Sequence, residues 1–221
     1  MATKGTGSDR AVFDAIAPGW YGFRHRTIFK TELEELARRW QRGRLLNVGC
    51  GHGADFPPFR EVFHLCGIDF SAGMLGYARK YAAKFDLDLK LVLADAARLP
   101  LKDDTFDWAI SVATYHHLRT PVARLAALIE LRRVLRPGGE AFVTVWNRWQ
   151  PRFWLRGGET LVAWRTKGET LYRYYYLFSR KELEALARQA GFEVLRSFAE
   201  SSYRLPVKTF SRNICLLVRK A

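Results

Sequence analysis

The sequence predicts one α/β domain built on a doubly wound, mostly parallel, seven-stranded sheet with helices on both faces. Three observations predict it. Aliphatic runs of strand length alternate with helical stripes along most of the 221 residues. The runs end in Gly, Asp or His residues, at the carboxyl edge where an open parallel sheet gathers its ligand groups. The first run, Leu45-Leu46-Asn47-Val48, stops in the glycine-rich turn Gly49-Cys50-Gly51-His52-Gly53-Ala54-Asp55. A chain of this length fits one such domain with an elaboration and is short for two.

Residues 1–9 are small and polar without periodicity, which predicts disorder and no readable function. Val12, Phe13, Ile16 and Ala17 form a short helical stripe, followed by Pro18-Gly19-Trp20-Tyr21-Gly22-Phe23-Arg24-His25-Arg26. Rings, cations and glycines interleaved in this way suit a lid over a pocket, a grip on phosphate, or simple packing on the sheet. Ile28, Leu33, Leu36 and Trp40 continue near helical spacing, and Gly43 is expected to close that helix. Residues 1–43 are therefore expected to form a helical N-terminal segment and lid, and residues 44–221 the main domain.

Leu45, Leu46 and Val48 suit a strand buried on both faces, and the glycines after it can take positive φ and leave bare backbone for a ligand. Three readings of the loop stay open. Gly49-x-Gly51-x-x-Ala54, with Asp69 at about the ~20-residue distance of a ribose-binding carboxylate, fits a dinucleotide fingerprint. Gly49-x-Gly51-x-Gly53 fits the looser loop that takes S-adenosylmethionine (SAM), and an ordinary tight strand-to-helix turn fits as well.

Pro57-Pro58 allows only a short crossover helix, running roughly to Val62. The second strand, 63–68, ends in Asp69-Phe70-Ser71, where Asp69 can accept from both hydroxyls of a ribose or serve as a turn residue, and Ser71 can cap the next helix. That helix, 74–85, offers Met74, Leu75, Ala78 and Ala82 to the core. Leu89, Leu91, Val92 and Leu93 give strand three. The Asp95-Ala96 pair behind it can accept from an adenine amino group, or can cap a turn.

Strand four, 106–112, leads to Thr114-Tyr115-His116-His117-Leu118. A helix over 121–135 stops at Arg136-Pro137-Gly138-Gly139, and strand five follows over 141–146. Ser179 caps a last helix with Leu183, Leu186 and Ala187, Gly191 ends it, and strands at 192–198 and 213–218 close the sheet. The ligand crevice is expected beside strands one and four.

Formal net charge is +14, from 36 Lys and Arg against 22 Asp and Glu, so the long-range field attracts polyanions, nucleic acid above all. Cys50, Cys66 and Cys215 are scattered without metal-ligand spacing, which argues against a disulfide framework and a metal site and fits a reducing cytoplasm. No apolar run approaches the ~20 residues of a membrane span, and no N-terminal signal pattern is present, so no membrane partner is expected.

The insertion at 147–178, with its flanks, concentrates this charge. Arg148, Arg152, Arg156, Arg165, Lys167, Arg173, Arg180 and Lys181 stand against only Glu159 and Glu169, among many Trp, Tyr and Phe residues. Cations that track phosphates, mixed with rings that stack bases, suit unpaired RNA. A solvated insertion whose rings pack beneath it is the alternative.

Taken together, the Gly49-Gly51-Gly53 loop, Asp69, Asp95-Ala96, Phe106-Asp107 and Leu135-Arg136-Pro137-Gly138-Gly139 make the chain resemble the class I SAM-dependent methyltransferases, over nearly all of 45–218. The resemblance implies their Rossmann-like sheet and SAM as cofactor. Gly49, Gly51, Asp69, Asp95 and Ala96, together with Gly53 and Phe70, would seat it. Asn47 stands where the family usually has an acidic residue, and its amide can still hold the turn.

Within that superfamily the chain is similar to the tRNA wobble-uridine carboxymethyl methyltransferases. Phe13-Asp14-Ala15-Ile16-Ala17 with Arg24 downstream, Tyr115-His116-His117-Leu118, Trp146, and Arg173-Tyr174-Tyr175-Tyr176 carry this. It implies methyl transfer to the carboxylate of a 5-carboxymethyl uridine in a tRNA anticodon loop. That acceptor is already ionised at neutral pH and needs no general base. Arg24 would hold the carboxylate or an adjacent phosphate, and His116 or His117 would position the base or ribose. Eukaryotic members are often larger or work with a small zinc-binding activator protein, a candidate partner here.

The main alternative is a SAM-dependent methyltransferase of a small molecule such as a quinone or lipid-like acceptor. It would need a closed apolar pocket, and the crowded arginines count against it. A non-catalytic RNA-binding module would leave Asp69 and Asp95 without purpose. A dinucleotide-dependent oxidoreductase would leave Asn47 and the Pro-Gly-Gly segment without a role.

Overall fold

The computed structural model describes residues 8–154, 157–166 and 168–221. The polar tail at 1–7 and the insertion cations Arg156 and Lys167 lie outside the described residues. In chain order the elements are α1 (Asp9–Phe23), α2 (Lys30–Trp40), β1 (Gly43–Val48), β2 (Phe63–Asp69), α3 (Ala72–Phe85), β3 (Leu89–Leu93), β4 (Phe106–Val112), α4 (Pro121–Val134) and β5 (Leu135–Trp146). After them come β6 (Glu159–Arg165), β7 (Thr170–Tyr176), α5 (Arg180–Gln189), β8 (Phe192–Ala199) and β9 (Asn213–Lys220).

The seven-stranded sheet has the order β3-β2-β1-β4-β5-β9-β8. Strands β1 to β5 run parallel, and β9 pairs antiparallel with both β5 and β8. The order reverses between β1 and β4, so the connections that follow them lead to opposite sides and a crevice opens at the carboxyl ends.

Alternation along the strands builds two cores. Leu46, Val48, Val143, Val145, Ile214 and Leu216 meet Leu128 and Leu131 of α4 and Leu183 of α5. Leu45, Ile110, Val112, Phe142, Cys215 and Leu217 meet Leu33, Leu36 and Trp40 of α2 and Leu75 and Tyr81 of α3. Each fully buried aliphatic or aromatic side chain contributes about 1.5–3 kcal/mol. The predicted caps are in place: Ser71 Oγ accepts from the Met74 N–H, and Ser179 with Glu182 forms a capping box on α5.

Several expectations need correction. The first helix does not stop before Pro18 but runs through it to Phe23. Ile16, Ala17 and Trp20 pack there against Met74 and Trp164, and this burial outweighs the lost backbone bond. In α2 the closing residue is Gln41, at φ 63°, while Gly43 opens β1. Ile28 lies outside that helix and is exposed. The first crossover contains only a 3₁₀ turn, Pro57–Phe59. The basic insertion holds the antiparallel hairpin β6–β7, which the sequence did not announce. Its rings are divided: Phe153, Tyr174, Tyr175 and Phe178 are buried, leaving Trp149, Trp154 and Tyr172 exposed.

Glu140 on β5 ties α2 to β9. Its buried carboxylate accepts from Arg39 Nε and Nη2 at 2.8 and 2.7 Å, Trp40 Nε1 at 2.9 Å and Arg219 Nη2 at 3.0 Å. Burial pushes its pKa up, but these donors and the Arg39 charge carry it down to about 2. A depressed carboxylate stabilises the fold above its unfolded value near 4.5 and loses that contribution as the pH falls through about 2. Glu140→Gln is expected to cost about 3 kcal/mol in urea unfolding at pH 7. The gap to wild type should narrow between pH 4.5 and 2; a gap independent of pH would refute this role.

Candidate active site

The carboxyl ends of β1, β2, β3 and β4 open on one cleft of about 490 Å³, closed on its other side by α1 and by residues of β5 and β7. It lies beside strands one and four, as the topology requires.

One half is bare backbone and carboxylate. Gly49 and Gly51 sit at φ 73° and 54°. A Cβ on Gly49 would fall 2.2 Å from Thr114 Oγ1, whereas one on Gly51 would meet no atom within 4 Å, so its backbone faces open space. The amides of Gly49 and Cys50 both donate to the Ile68 carbonyl, at 2.8 Å each. Asp69 Oδ2 accepts from the Gly51 N–H at 2.8 Å and Oδ1 from the Ser71 N–H at 2.9 Å. Burial raises this carboxyl to about 6 despite those bonds.

Phe70, Asp95 and Ala96 also line the cleft, and one Asp95 oxygen accepts from the Ala97 N–H at 2.8 Å. Asn47 and Gly53 do not line it. Asn47 is fully buried in β1 with neither amide atom hydrogen-bonded, so the turn is held by Asp69 and Ile68 rather than by this amide.

The other half is aromatic. Tyr175 stacks on Trp146 at 4.1 Å and on His116 at 4.9 Å, and His117 stands edge-on to Tyr175 at 4.5 Å and to Phe13 at 4.9 Å. Arg24, at the end of α1, reaches Asp55 at 3.7 Å, yet its buried Nε and Nη2 have no hydrogen-bond acceptor. The wall is pinned by Asp14, whose Oδ1 accepts from Ser71 Oγ and the Gly73 N–H at 2.6 and 2.8 Å, and by a forked Arg119–Asp9 pair at 2.6 Å.

The methyltransferase domain family matches residues 46–143. A protein of Encephalitozoon cuniculi, provisionally named a methyltransferase, is 34% identical over 158 residues, covering 68% of this chain and 70% of that one. The chain belongs to the SAM-dependent methyltransferases. The tRNA (carboxymethyluridine(34)-5-O)-methyltransferase of Arabidopsis thaliana is 34% identical over 137 residues, 61% of this chain but only 31% of that enzyme.

Among solved structures, a SAM-dependent methyltransferase from Clostridium acetobutylicum aligns with a TM-score of 0.74 at 14% identity, covering 94% of this chain and 98% of that one. A chain from the Haloferax volcanii complex between the Trm112 methyltransferase activator and a methyltransferase aligns with a TM-score of 0.66 at 20% identity, over 96% and 97%. These two show the fold.

In this methyltransferase the paired histidines carry opposite tautomers. The Trp146 N–H donates to His116 Nδ1 at 3.1 Å, so the ring proton of a neutral His116 must sit on Nε2. His117 Nδ1 donates to the Tyr174 carbonyl at 2.8 Å, which leaves its Nε2 as an acceptor. Burial, the neighbouring histidine and Arg173 hold His116 well below its ordinary pKa, and burial takes His117 down to about 4. The site thus offers one neutral donor beside one neutral acceptor.

Sequence reasoning missed Asp9, Asp55, Thr114 and Arg119 at the cleft. Only the acidic residue near the chain start and the Arg after the histidine pair hinted at an ion pair across it. Nitrogen-15 spectra of the two imidazoles are expected to show an Nε2–H on His116, an Nδ1–H on His117, and both rings neutral at pH 6. Shared tautomers, or a His117 titration near 6.5, would contradict the assignment.

Proposed function

We propose that this methyltransferase acts on tRNA, esterifying the carboxylate of a 5-carboxymethyl uridine at the wobble position, in the cytoplasm. The observation that carries the reading is Arg24: on the lining of the cleft, its Nε and Nη2 are buried without a hydrogen-bond acceptor, with Asp55 beside it only at ion-pair distance, 3.7 Å. A carboxylate is the acceptor that a forked cation holds best. The similarity to the Arabidopsis enzyme supports the substrate class, and the excess of 36 cationic over 22 acidic side chains supports a polyanionic one.

The chain's own groups fit the cofactor. The open Gly51 backbone takes a ligand at close approach, Asp69 accepts ribose hydroxyls with its remaining lone pairs, and Asp95 and Ala96 receive the adenine. SAM supplies an electrophilic methyl group. Because the acceptor is already an anion, no residue has to remove a proton, and neutral His116 and His117 serve to orient the base. Orientation of this kind is worth about 7–11 kcal/mol. The helix α1 with Arg24 acts as the lid, and a small activator protein of the kind bound in the Haloferax complex is the proposed partner.

The test is methyl transfer from labelled SAM to total tRNA and to a small-molecule extract, with and without an activator, followed by alkali. Label on tRNA that alkali removes is expected. Alkali-stable label would move the target atom, and label confined to small molecules would favour a planar apolar acceptor, which Phe13, Phe70, Trp146 and Tyr175 along the cleft also suit. Arg24→Met is expected to cut transfer at least tenfold while leaving SAM affinity within twofold.

A further inference from the structure

Arg173 on β7 is 6% exposed and meets no carboxylate. Its guanidinium carbon lies 5.3 Å from the Trp20 ring, 5.2 Å from Trp164 and 5.4 Å from Tyr175. No hydrogen bond or ion pair reaches it among the described residues, and its Nε is shut off from water without a partner. Arg24, by contrast, has Asp55 beside it. Three rings supply cation–π attraction but no acceptor for the guanidinium donors. A buried cation is ordinarily paired, and leaving one unpaired is costly. An anion that arrives with a ligand would supply the partner the fold does not.

Its position says which ligand. Residues 173 and 175 share one face of β7, and Tyr175 and Trp20 line the acceptor half of the cleft. The Arg173 charge is felt at His116, His117 and Tyr175. Exposed Arg152 reaches the same wall, 5.6 Å from the Trp146 ring. The cation thus backs the Trp20 and Tyr175 rings that line the acceptor half, and Arg24 bears on the same Tyr175. We propose that Arg173 is the receptor for a backbone phosphate adjoining the accepting nucleoside, so that the enzyme requires a nucleotide within a strand and discriminates against a free nucleoside. This rests on the nucleotide reading of the acceptor, not on which atom is methylated.

The test uses the whole chain saturated with S-adenosylhomocysteine and two probes, uridine and uridine 3′,5′-bisphosphate. Wild type is expected to bind the bisphosphate at least tenfold more tightly. Arg173→Met, which fills similar space without charge, should abolish that preference, and Arg173→Lys should keep part of it. Binding of an anticodon stem-loop RNA should lose about 0.7 from its log–log salt slope in Arg173→Met.

Equal binding of the two probes by wild type would overturn the proposal without any variant, as would a preference or a salt slope unchanged in Arg173→Met. A preference preserved in full by Arg173→Lys would show that charge, not the fork, carries it. Bisphosphate preference together with tRNA label that resists alkali would keep the phosphate site and refute the ester, so the two readings fail separately.

Discussion

The cleft depends on a single buried carboxylate. Asp69, at the end of β2, spends one oxygen on the Gly51 N–H and the other on the Ser71 N–H, so it joins the glycine loop after β1 to the start of α3. Ser71 then caps α3 through the Met74 N–H and donates to Asp14, which also accepts from Gly73. One chain of hydrogen bonds thus runs from the loop to α1, and α1 carries Phe13, Trp20 and the approach to Arg24. Burial opposes the charge that this arrangement needs, and Asp14 nearby adds to the opposition, which is why the Asp69 carboxyl sits near 6. A ligand hydroxyl donating to it would restore the anion. The energetic conflict is thus placed where binding can relieve it.

The two halves of the cleft solve different problems. The β1 and β2 side presents backbone and carboxylate, groups that suit a polar ligand. The side made by α1, the 115–117 turn after β4, β5 and β7 presents rings, two neutral histidines of opposite tautomer and two under-paired guanidinium groups. Such a wall is costly to build from protein alone. Its rings suit a planar group and its under-paired donors an anion, as the proposed acceptor requires. The reduced pKa of both histidines also keeps them from competing, as cations, with the arginines for that charge.

Much of the first half was legible in the sequence, because its signals are local. Leu45 to Val48 are buried as their composition required, the glycines follow directly, and Asp69 and Ser71 stand at the end of a readable strand. The second half was not, because its contacts join distant segments. His117 meets the Tyr174 carbonyl across 57 positions, Asp14 meets Ser71 across 57, and Arg119 meets Asp9 across 110. The Tyr-rich stretch advertised stacking surface, yet the end of β7 is covered on both faces, burying Tyr174 and Tyr175, while Tyr172 stays outside. The short helical stripe before Pro18 did not show that α1 runs on, and the packing of Ile16, Ala17 and Trp20 on Met74 and Trp164 explains why it does. Asn47 read as a loop anchor, but the carboxylate of Asp69 took that task.

The most direct test of this account is the pH dependence of cofactor binding, measured by calorimetry with S-adenosylhomocysteine from pH 5 to 8. If the ionised Asp69 carboxylate is what the ligand needs, affinity rises about tenfold per unit up to about pH 6 and is flat above it, with a proton released on binding below that point. Asp69→Asn should weaken binding and remove the pH dependence. Affinity that is level from pH 5 to 8 in wild type, or unchanged in Asp69→Asn, would contradict the claim that this carboxylate organises the cleft and receives the cofactor.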